Sequence, residues 1–226
     1  MTKYLSRLPN GIYFSVYSIG VKYGSPFHWD LTLTFNLQSK IFNYMNPLDI
    51  IAEFYEPGTK LCQILVRHGE QVANKAIETA MKVPHLKPDL NFIREAAMLH
   101  DIGIFETDTP ELGCTGKYPY VCHGYLGRKV LEKKGLSQHA LVCERHVGIG
   151  ITAEEIKFNN LPLPQRDMVP ISIEEQIICF ADKFFSKNGE MDSCEKSVED
   201  ILNTLRKYGP EKVIRFQKWM RLFGHH

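Results

Sequence analysis

Six side chains able to bind metal ions constrain the fold of this chain more than any other feature. Each falls on a predicted helix or at its end, and the separate positions lie about 20 to 36 residues apart. In chain order the six are His68, His100, Asp101, His123, His146 and Asp182. Helices of one bundle can bring such inward-facing ligands together. Because uncompensated polar groups in a core cost roughly 1–3 kcal/mol each, the pattern predicts an all-α fold around a metal centre.

Helical signals recur from residue 45 onward. One predicted helix places four residues on a single line, Ile64, His68, Val72 and Ala76. Two more helices are predicted over residues 123–134 and 137–147, and a last one from Gly209-Pro210 to about Phe223. The loops over residues 106–120 and 159–170 are long and rich in Pro, Gly and polar residues, and we expect them to cover a site.

Local signals predict where several helices begin and end. Asn46 before a proline is a predicted N-cap, and Asn91 is predicted to cap the helix that leads to the His100-Asp101 pair. Ser172 and Glu175 have the spacing of a capping box. Gly103 is predicted to let the chain turn after that pair.

The first 44 residues differ in composition from the rest. They contain ten of the 25 aromatic residues, only five charged residues, and neither Ala nor Glu. Alternating segments, IYFSVYSIGV and LTLTFNL, predict a β-hairpin or an added sheet edge. The alternative is that Met45 is the natural start and that residues 1–44 are an extension with little structure. We therefore expect an extension over 1–44 and a helical domain over 45–226, with its motifs at about 60–190.

Charge and cysteine usage narrow the class of protein. The chain has 27 basic and 26 acidic residues, which predicts no partner that is nucleic acid or membrane. Its six cysteines show no CxxC spacing, and no secretory signal precedes them, which favours reduced thiols in a cytoplasmic protein. No apolar run approaches the roughly 20 residues that span a bilayer. The oligomeric state is left open.

The ordered pattern H…HD…H…H…D resembles the HD superfamily of metal-dependent phosphohydrolases, and in particular its six-ligand members. The resemblance covers residues 60–190 and rests on five blocks: LVRHGEQVANKA, AAMLHDIGIF, YVCHGYLGRKVLEKKGL, CERHVGIGIT and EEQIICFADKFFSK. It implies a helical bundle. It also implies one metal ion held by His68, His100, Asp101 and Asp182, and a second held by His123, His146 and the shared Asp101. The alternative is a single metal ion, with His123 and His146 as spectators.

This ligand set implies a hydrolytic chemistry. Two divalent ions roughly 3.5–4 Å apart can activate a bridging hydroxide and clamp the phosphoryl oxygens, with Asp101 as the bridge. The ions could be Fe, Mn, Co, Ni or Zn, because all accept His and Asp ligands. We expect a small phosphorylated substrate, a nucleotide, whose phosphate could contact Lys183, Arg145 or Lys117. Tyr118 and Tyr120 either stack on a nucleobase or simply cover apolar surface.

One departure from the family pattern leaves the substrate open, and two alternative functions compete with this interpretation. Relatives that hydrolyse diadenosine tetraphosphate continue the HD block to a lysine, whereas this chain reads HDIGIFET, which leaves the substrate open. A mixed-valence di-iron oxygenase would use the same ligands, but LCQILVR lacks the Tyr/Glu pair of those enzymes. A non-catalytic nucleotide-binding protein with a structural metal ion is the other, although a structural ion needs no second metal site.

Overall fold

The computed structural model describes residues 2–7, 13–18, 45–187 and 195–224. The chain divides into two compact units, Met1–Tyr44 and Met45–His226. In the first unit, β1 (Thr2–Arg7) pairs antiparallel with β2 (Tyr13–Ser18). The predicted hairpin is therefore confirmed. The segment IYFSVYSIGV supplies its second strand, and the first strand is β1. The other predicted strand, LTLTFNL, lies outside the described residues.

The second unit is helical, as predicted. Its helices are α1 (Pro47–Ala52), α2 (Lys60–Lys82), α3 (Leu90–Leu99), α4 (His123–Lys133), α5 (Ser137–Arg145), α6 (Ala153–Phe158), α7 (Ile173–Asp182), α8 (Val198–Arg206) and α9 (Pro210–Leu222). Short 3₁₀ turns connect several of them, and β3 (Asp108–Thr109) pairs with β4 (Cys114–Thr115) inside the segment predicted as a loop. That segment is thus more regular than its composition indicates.

Capping residues fix where these helices begin. Asn46 accepts a hydrogen bond from the backbone of α1, as predicted. The cap of α3 is Asp89 instead of the predicted Asn91, because the Asp89 carboxylate accepts from two backbone N–H groups of the first turn. Ser172 caps α7 through the Glu175 N–H, but Glu175 turns its own carboxylate to the Ile171 N–H. The predicted reciprocal box is therefore only half formed.

The long helix α2 lies at the centre of the unit. It packs against α3 and α7, while α4 packs against α5. Val72 and Ala76, which were predicted on the inward face with His68, are fully buried. The apolar cluster that contains both residues also includes Phe180 and joins α7 to α9. Burial of these faces at about 25 cal/mol per Å² holds the ligand-bearing helices together.

Gly103 has a different role from the one predicted. Its backbone is not in the left-handed region, so no turn requires a glycine there. A Cβ at this position would instead overlap the His123 carbonyl oxygen and the backbone of Gly127 on α4. The missing side chain lets the segment after Asp101 lie directly against α4. This contact sets the distance between two predicted ligands, Asp101 and His123.

None of the helices among the described residues combines the length and apolar character needed to cross a membrane.

Candidate metal centre

All six predicted ligands meet at one place. His68 comes from the middle of α2, and Asp182 is the last residue of α7. His100 and Asp101 follow α3, His123 is the first residue of α4, and His146 follows α5. Every one of these side chains is at most 6% exposed. Five of the six therefore lie at helix ends, where a side chain can point along the bundle into its interior.

The two oxygens of Asp101 face different histidine pairs. Oδ2 lies 3.4 Å from His68 Nε2 and 3.2 Å from His100 Nε2. Oδ1 lies 3.3 Å from His123 Nε2 and 3.4 Å from His146 Nε2. A carboxylate in this arrangement can bind a separate cation through each oxygen, which is the geometry of a bridge.

Asp182 completes the side of the centre that contains His68 and His100. Its Oδ1 lies 3.0 Å from His68 Nε2 and 3.4 Å from His100 Nε2. The four residues assigned to the first ion by resemblance therefore surround one point, and the remaining pair faces the opposite oxygen of Asp101.

Backbone carbonyls orient three of the histidines. His100, His123 and His146 each place Nδ1 against the carbonyl oxygen three residues earlier, at 2.6, 2.6 and 2.8 Å. A carbonyl oxygen only accepts, so Nδ1 carries the proton and Nε2 keeps a lone pair directed into the centre. Metal-binding histidines are held in the same way in other proteins.

The polar atoms inside the centre fit a cation better than they fit one another. The Nε2 atoms of His123 and His146 lie 3.1 Å apart, while both Nδ1 atoms face backbone carbonyl oxygens. His100 Nε2 and Asp101 Oδ1 are buried and make no hydrogen bond of normal geometry to described residues, and Asp101 Oδ2 has an ion pair with Lys187 at 2.8 Å. Three groups of these side chains place their ligand atoms within 4.8 Å of one another. The residues therefore fit one or two divalent metal ions.

The protonation states of the buried histidines are compatible with metal binding. Burial lowers the pKa of His68 to about 4 and that of His146 to about 3, so both rings are neutral at pH 7. Burial also opposes protonation of His100, but the Asp101 carboxylate outweighs it and raises the pKa to about 9. A proton and a metal ion are alternative occupants of the same His100 lone pair, and the negative charge of Asp101 favours either one.

Both carboxylates remain ionised. Burial alone would raise their pKa values, but neighbouring cationic groups hold the pKa of Asp101 and of Asp182 well below the usual range. For Asp101 the largest opposing influences are His100 and Lys187, and for Asp182 they are Lys183 and Lys187.

Two lysines reach this centre, and the sequence predicted only one. Lys183 Nζ lies 2.6 Å from Asp182 Oδ2, so it is at the site as predicted. Lys187 Nζ lies 2.8 Å from Asp101 Oδ2, although no helical spacing links these two residues. Lys187 lies past the end of α7, as the last residue of the block EEQIICFADKFFSK. Its place in that block was the one sequence signal that could have indicated a role at the site.

Arg145 and Lys117 are placed differently from the prediction. Arg145 Nη1 donates to both carboxylate oxygens of Glu175, at 2.9 and 3.0 Å. Neither Arg145 nor Lys117 is among the described residues that line the pocket at the centre. Adjacent helical residues point about 100° apart, so the neighbour of a ligand need not share its direction. We do not retain either residue as a phosphate contact.

A pocket of about 780 Å³ opens onto the centre. Three predicted ligands, His123, His146 and Asp182, contribute to its lining. Tyr120 also lines it, with its ring stacked on His123 at a centroid distance of 4.4 Å. Both predicted covering loops contribute lining residues, Glu111 and Leu112 from one, and Leu161 from the other. A pocket of this size can admit a small organic molecule.

Comparison with known proteins identifies the family. Residues 65–186, more than half of the chain, match the HD domain family, so the chain belongs to this family. The resemblance inferred from the sequence blocks is confirmed. The matched residues lie inside the Met45–His226 unit, and we propose that this whole unit is the HD domain.

Curated relatives include proteins of different kinds. The chain is 34% identical over 143 residues to the uncharacterized protein MJ0778 of Methanocaldococcus jannaschii, which covers 61% of this chain and 77% of that protein. It is 34% identical over 124 residues to the tRNA (cytidine(56)-2'-O)-methyltransferase of Picrophilus torridus, and 28% identical over 161 residues to that of Thermoplasma volcanium. These matches cover 54% and 69% of this chain but only 32% and 41% of the methyltransferases.

Among solved structures, the chain is similar to the HD domain of the Listeria monocytogenes phosphodiesterase PgpH in complex with cyclic-di-AMP. The alignment covers 82% of this chain and 100% of that domain, with a TM-score of 0.45 and 15% sequence identity.

Proposed function

We propose that this protein is a metal-dependent phosphohydrolase that cleaves a phosphate ester or anhydride of a small molecule, a nucleotide. The observation that carries the proposal is the division of Asp101 between two pairs of histidine nitrogens. A carboxylate shared in this way can bind two cations, whereas a buried carboxylate is costly in an apolar core. Membership of the HD domain family supports the same conclusion.

The side chains have separate tasks in such a reaction. A pair of divalent ions, when bound, supplies a water of low pKa and a positive field for the phosphoryl oxygens. Asp101 joins the two halves of the centre, and the carbonyl-bound histidines keep their lone pairs directed inward without reorganisation. Asp182 closes the half that contains His68 and holds Lys183 at the pocket wall.

Two pocket residues support a nucleotide as the substrate. Lys183 has its pKa raised, because Asp182 outweighs the effect of burial, and its ammonium group is therefore charged and able to contact a phosphate. Tyr120 is 36% exposed while one face of its ring covers His123. An exposed aromatic face beside a phosphate site can stack on a nucleobase.

The proposal is tested by metal analysis of the purified protein and by a phosphate-release screen. The protein is loaded in turn with Fe, Mn, Co, Ni and Zn and offered mononucleotides, dinucleoside polyphosphates and cyclic dinucleotides. We expect metal-dependent phosphate release from at least one class. Asp101→Ala should lose both the bound metal and turnover, because its carboxylate serves both halves of the centre.

Lys157→Met is the matched control, because Lys157 is an exposed lysine of α6 that does not line the pocket. It should retain the metal content and the rate of the wild type. Turnover that persists in a metal-free Asp101→Ala protein would rule the proposal out.

A further inference from the structure

Three lysines, Lys183, Lys187 and Lys196, line the pocket beside the metal centre. Lys183 pairs with Asp182 at 2.6 Å, and Lys187 pairs with Asp101 at 2.8 Å. Lys196 lines the same pocket, and its Nζ donates only to the Phe185 carbonyl, at 3.4 Å. Among the described residues, Lys196 forms no ion pair with a carboxylate.

These three groups are close enough to affect one another. Burial lowers the pKa of Lys196, Asp182 opposes this, and the positive charges of Lys183 and Lys187 lower it further. Within the described part of the chain, the carboxylates that pair with these lysines are Asp101 and Asp182. Two other acids line the described part of the pocket: Glu155, which pairs with Lys212 at 2.6 Å, and Glu111.

The charge balance shifts once both carboxylates are committed to divalent cations. The cations then take over the negative charge that faced Lys183 and Lys187, and a single phosphate group is balanced by the cations themselves. The three ammonium groups would then face the pocket with no matching anion. Like charges held together on a pocket wall attract an anion of matching extent.

We infer that Lys183, Lys187 and Lys196 bind a second phosphate group, adjacent to the one that is hydrolysed. The substrate class is then a phosphoanhydride, such as a nucleoside diphosphate or triphosphate or a dinucleoside polyphosphate, in preference to a monoester. This inference rests on the proposed function, and it assigns to Lys187 and Lys196 a role in choosing the substrate.

The test compares two probes that differ by one phosphate equivalent, methylenediphosphonate and inorganic phosphate. Methylenediphosphonate has a P–C–P link that cannot be hydrolysed, so titration calorimetry on the metal-loaded protein measures binding without turnover. We expect Lys187→Met and Lys196→Met each to weaken methylenediphosphonate binding by about tenfold. Binding of inorganic phosphate should change by no more than about threefold, because the metal centre holds that group.

Controls separate this subsite from a structural effect. Lys187→Arg keeps the positive charge and should retain most of the preference for methylenediphosphonate, and Lys157→Met should match the wild type. Elemental analysis should show the same metal content in all variants. Equal loss for both probes, or unchanged binding of methylenediphosphonate, would overturn the inference.

These experiments distinguish failure of the second-phosphate subsite from failure of the proposed hydrolase function. A wild-type protein that hydrolyses phosphate compounds, but whose lysine variants bind methylenediphosphonate normally, contradicts only the second-phosphate subsite. A protein that binds methylenediphosphonate through these lysines but never releases phosphate contradicts only the hydrolase proposal.

Discussion

Asp101 and the histidine nitrogens around it define two halves of one site. On the Oδ1 side, the Nε2 atoms of His123 and His146 lie 3.1 Å apart, and a cation beside them would stabilise this contact. On the Oδ2 side, His68 and His100 have Asp182 as an additional partner. The two halves therefore differ in donor number, and removal of a single histidine should affect one ion before the other.

A substitution of His123 tests this division. We expect His123→Ala to lower the metal content by about one ion per chain, because the half that contains His68 keeps its residues. Turnover should fall by about 100-fold or more, because loss of a residue that merely orients a metal ligand already costs about 10–100-fold. Elemental analysis and the rate of phosphate release measure the two effects.

The matched control is His139→Ala, because His139 belongs to α5 but faces Glu95 at 3.4 Å, away from the cluster. It should keep the wild-type metal content. A His123→Ala protein that still binds two ions would contradict the assignment of this histidine to the second half.

At the scale of elements, the site depends on how closely the segment after Asp101 approaches α4. Gly103 makes this approach possible, since its missing Cβ leaves room for the His123 carbonyl and the Gly127 backbone. Backbone atoms cannot move aside as a flexible side chain can. Any side chain at Gly103 would therefore push α4 away and carry His123 with it.

Gly103→Ala should therefore be destabilising and should impair the metal centre together with the fold. We expect a loss of about 3 kcal/mol or more in the free energy of unfolding, at the upper end of the range for overpacked cores. Urea denaturation measures this loss.

Gly135→Ala provides the comparison, because nothing lies near a Cβ there and only its positive φ of 76° is unfavourable. That variant should lose only about 1–2 kcal/mol, the cost of a left-handed non-glycine residue. Equal losses at the two positions would show that the close contact with α4 does not matter.

At the scale of the whole molecule, the metal centre joins helices that are distant along the chain. The six predicted ligands come from α2, α4, α7 and the ends of α3 and α5. A ligand that binds only the folded chain stabilises it by mass action. Metal binding should therefore stabilise the entire Met45–His226 unit cooperatively.

This prediction concerns thermal unfolding. At a free metal concentration about 100 times the dissociation constant, the stabilisation is about 2.7 kcal/mol, which corresponds to a rise in Tm of roughly 5–10 °C for a chain of this size. Calorimetry with and without a chelator measures it. Asp182→Asn should greatly reduce the rise, and a wild-type Tm that is the same in excess metal and in chelator would contradict the prediction.

The sequence by itself determined the helical class and predicted the six residues that meet at the candidate metal centre. Helical periodicity is local, and the ordered His and Asp residues need no coordinates to be recognised. Asn46 likewise capped its helix as predicted, because a cap depends only on neighbouring residues. The confirmed family shows how much this local information contains.

The tertiary structure decided which side chains meet. Lys187 reaches Asp101, Arg145 turns to Glu175, and Gly103 serves a contact with α4 instead of a turn. Each outcome depends on the direction of a side chain relative to an element distant along the chain. Sequence spacing fixes the face of one helix, but only the packing of helices fixes what that face contacts.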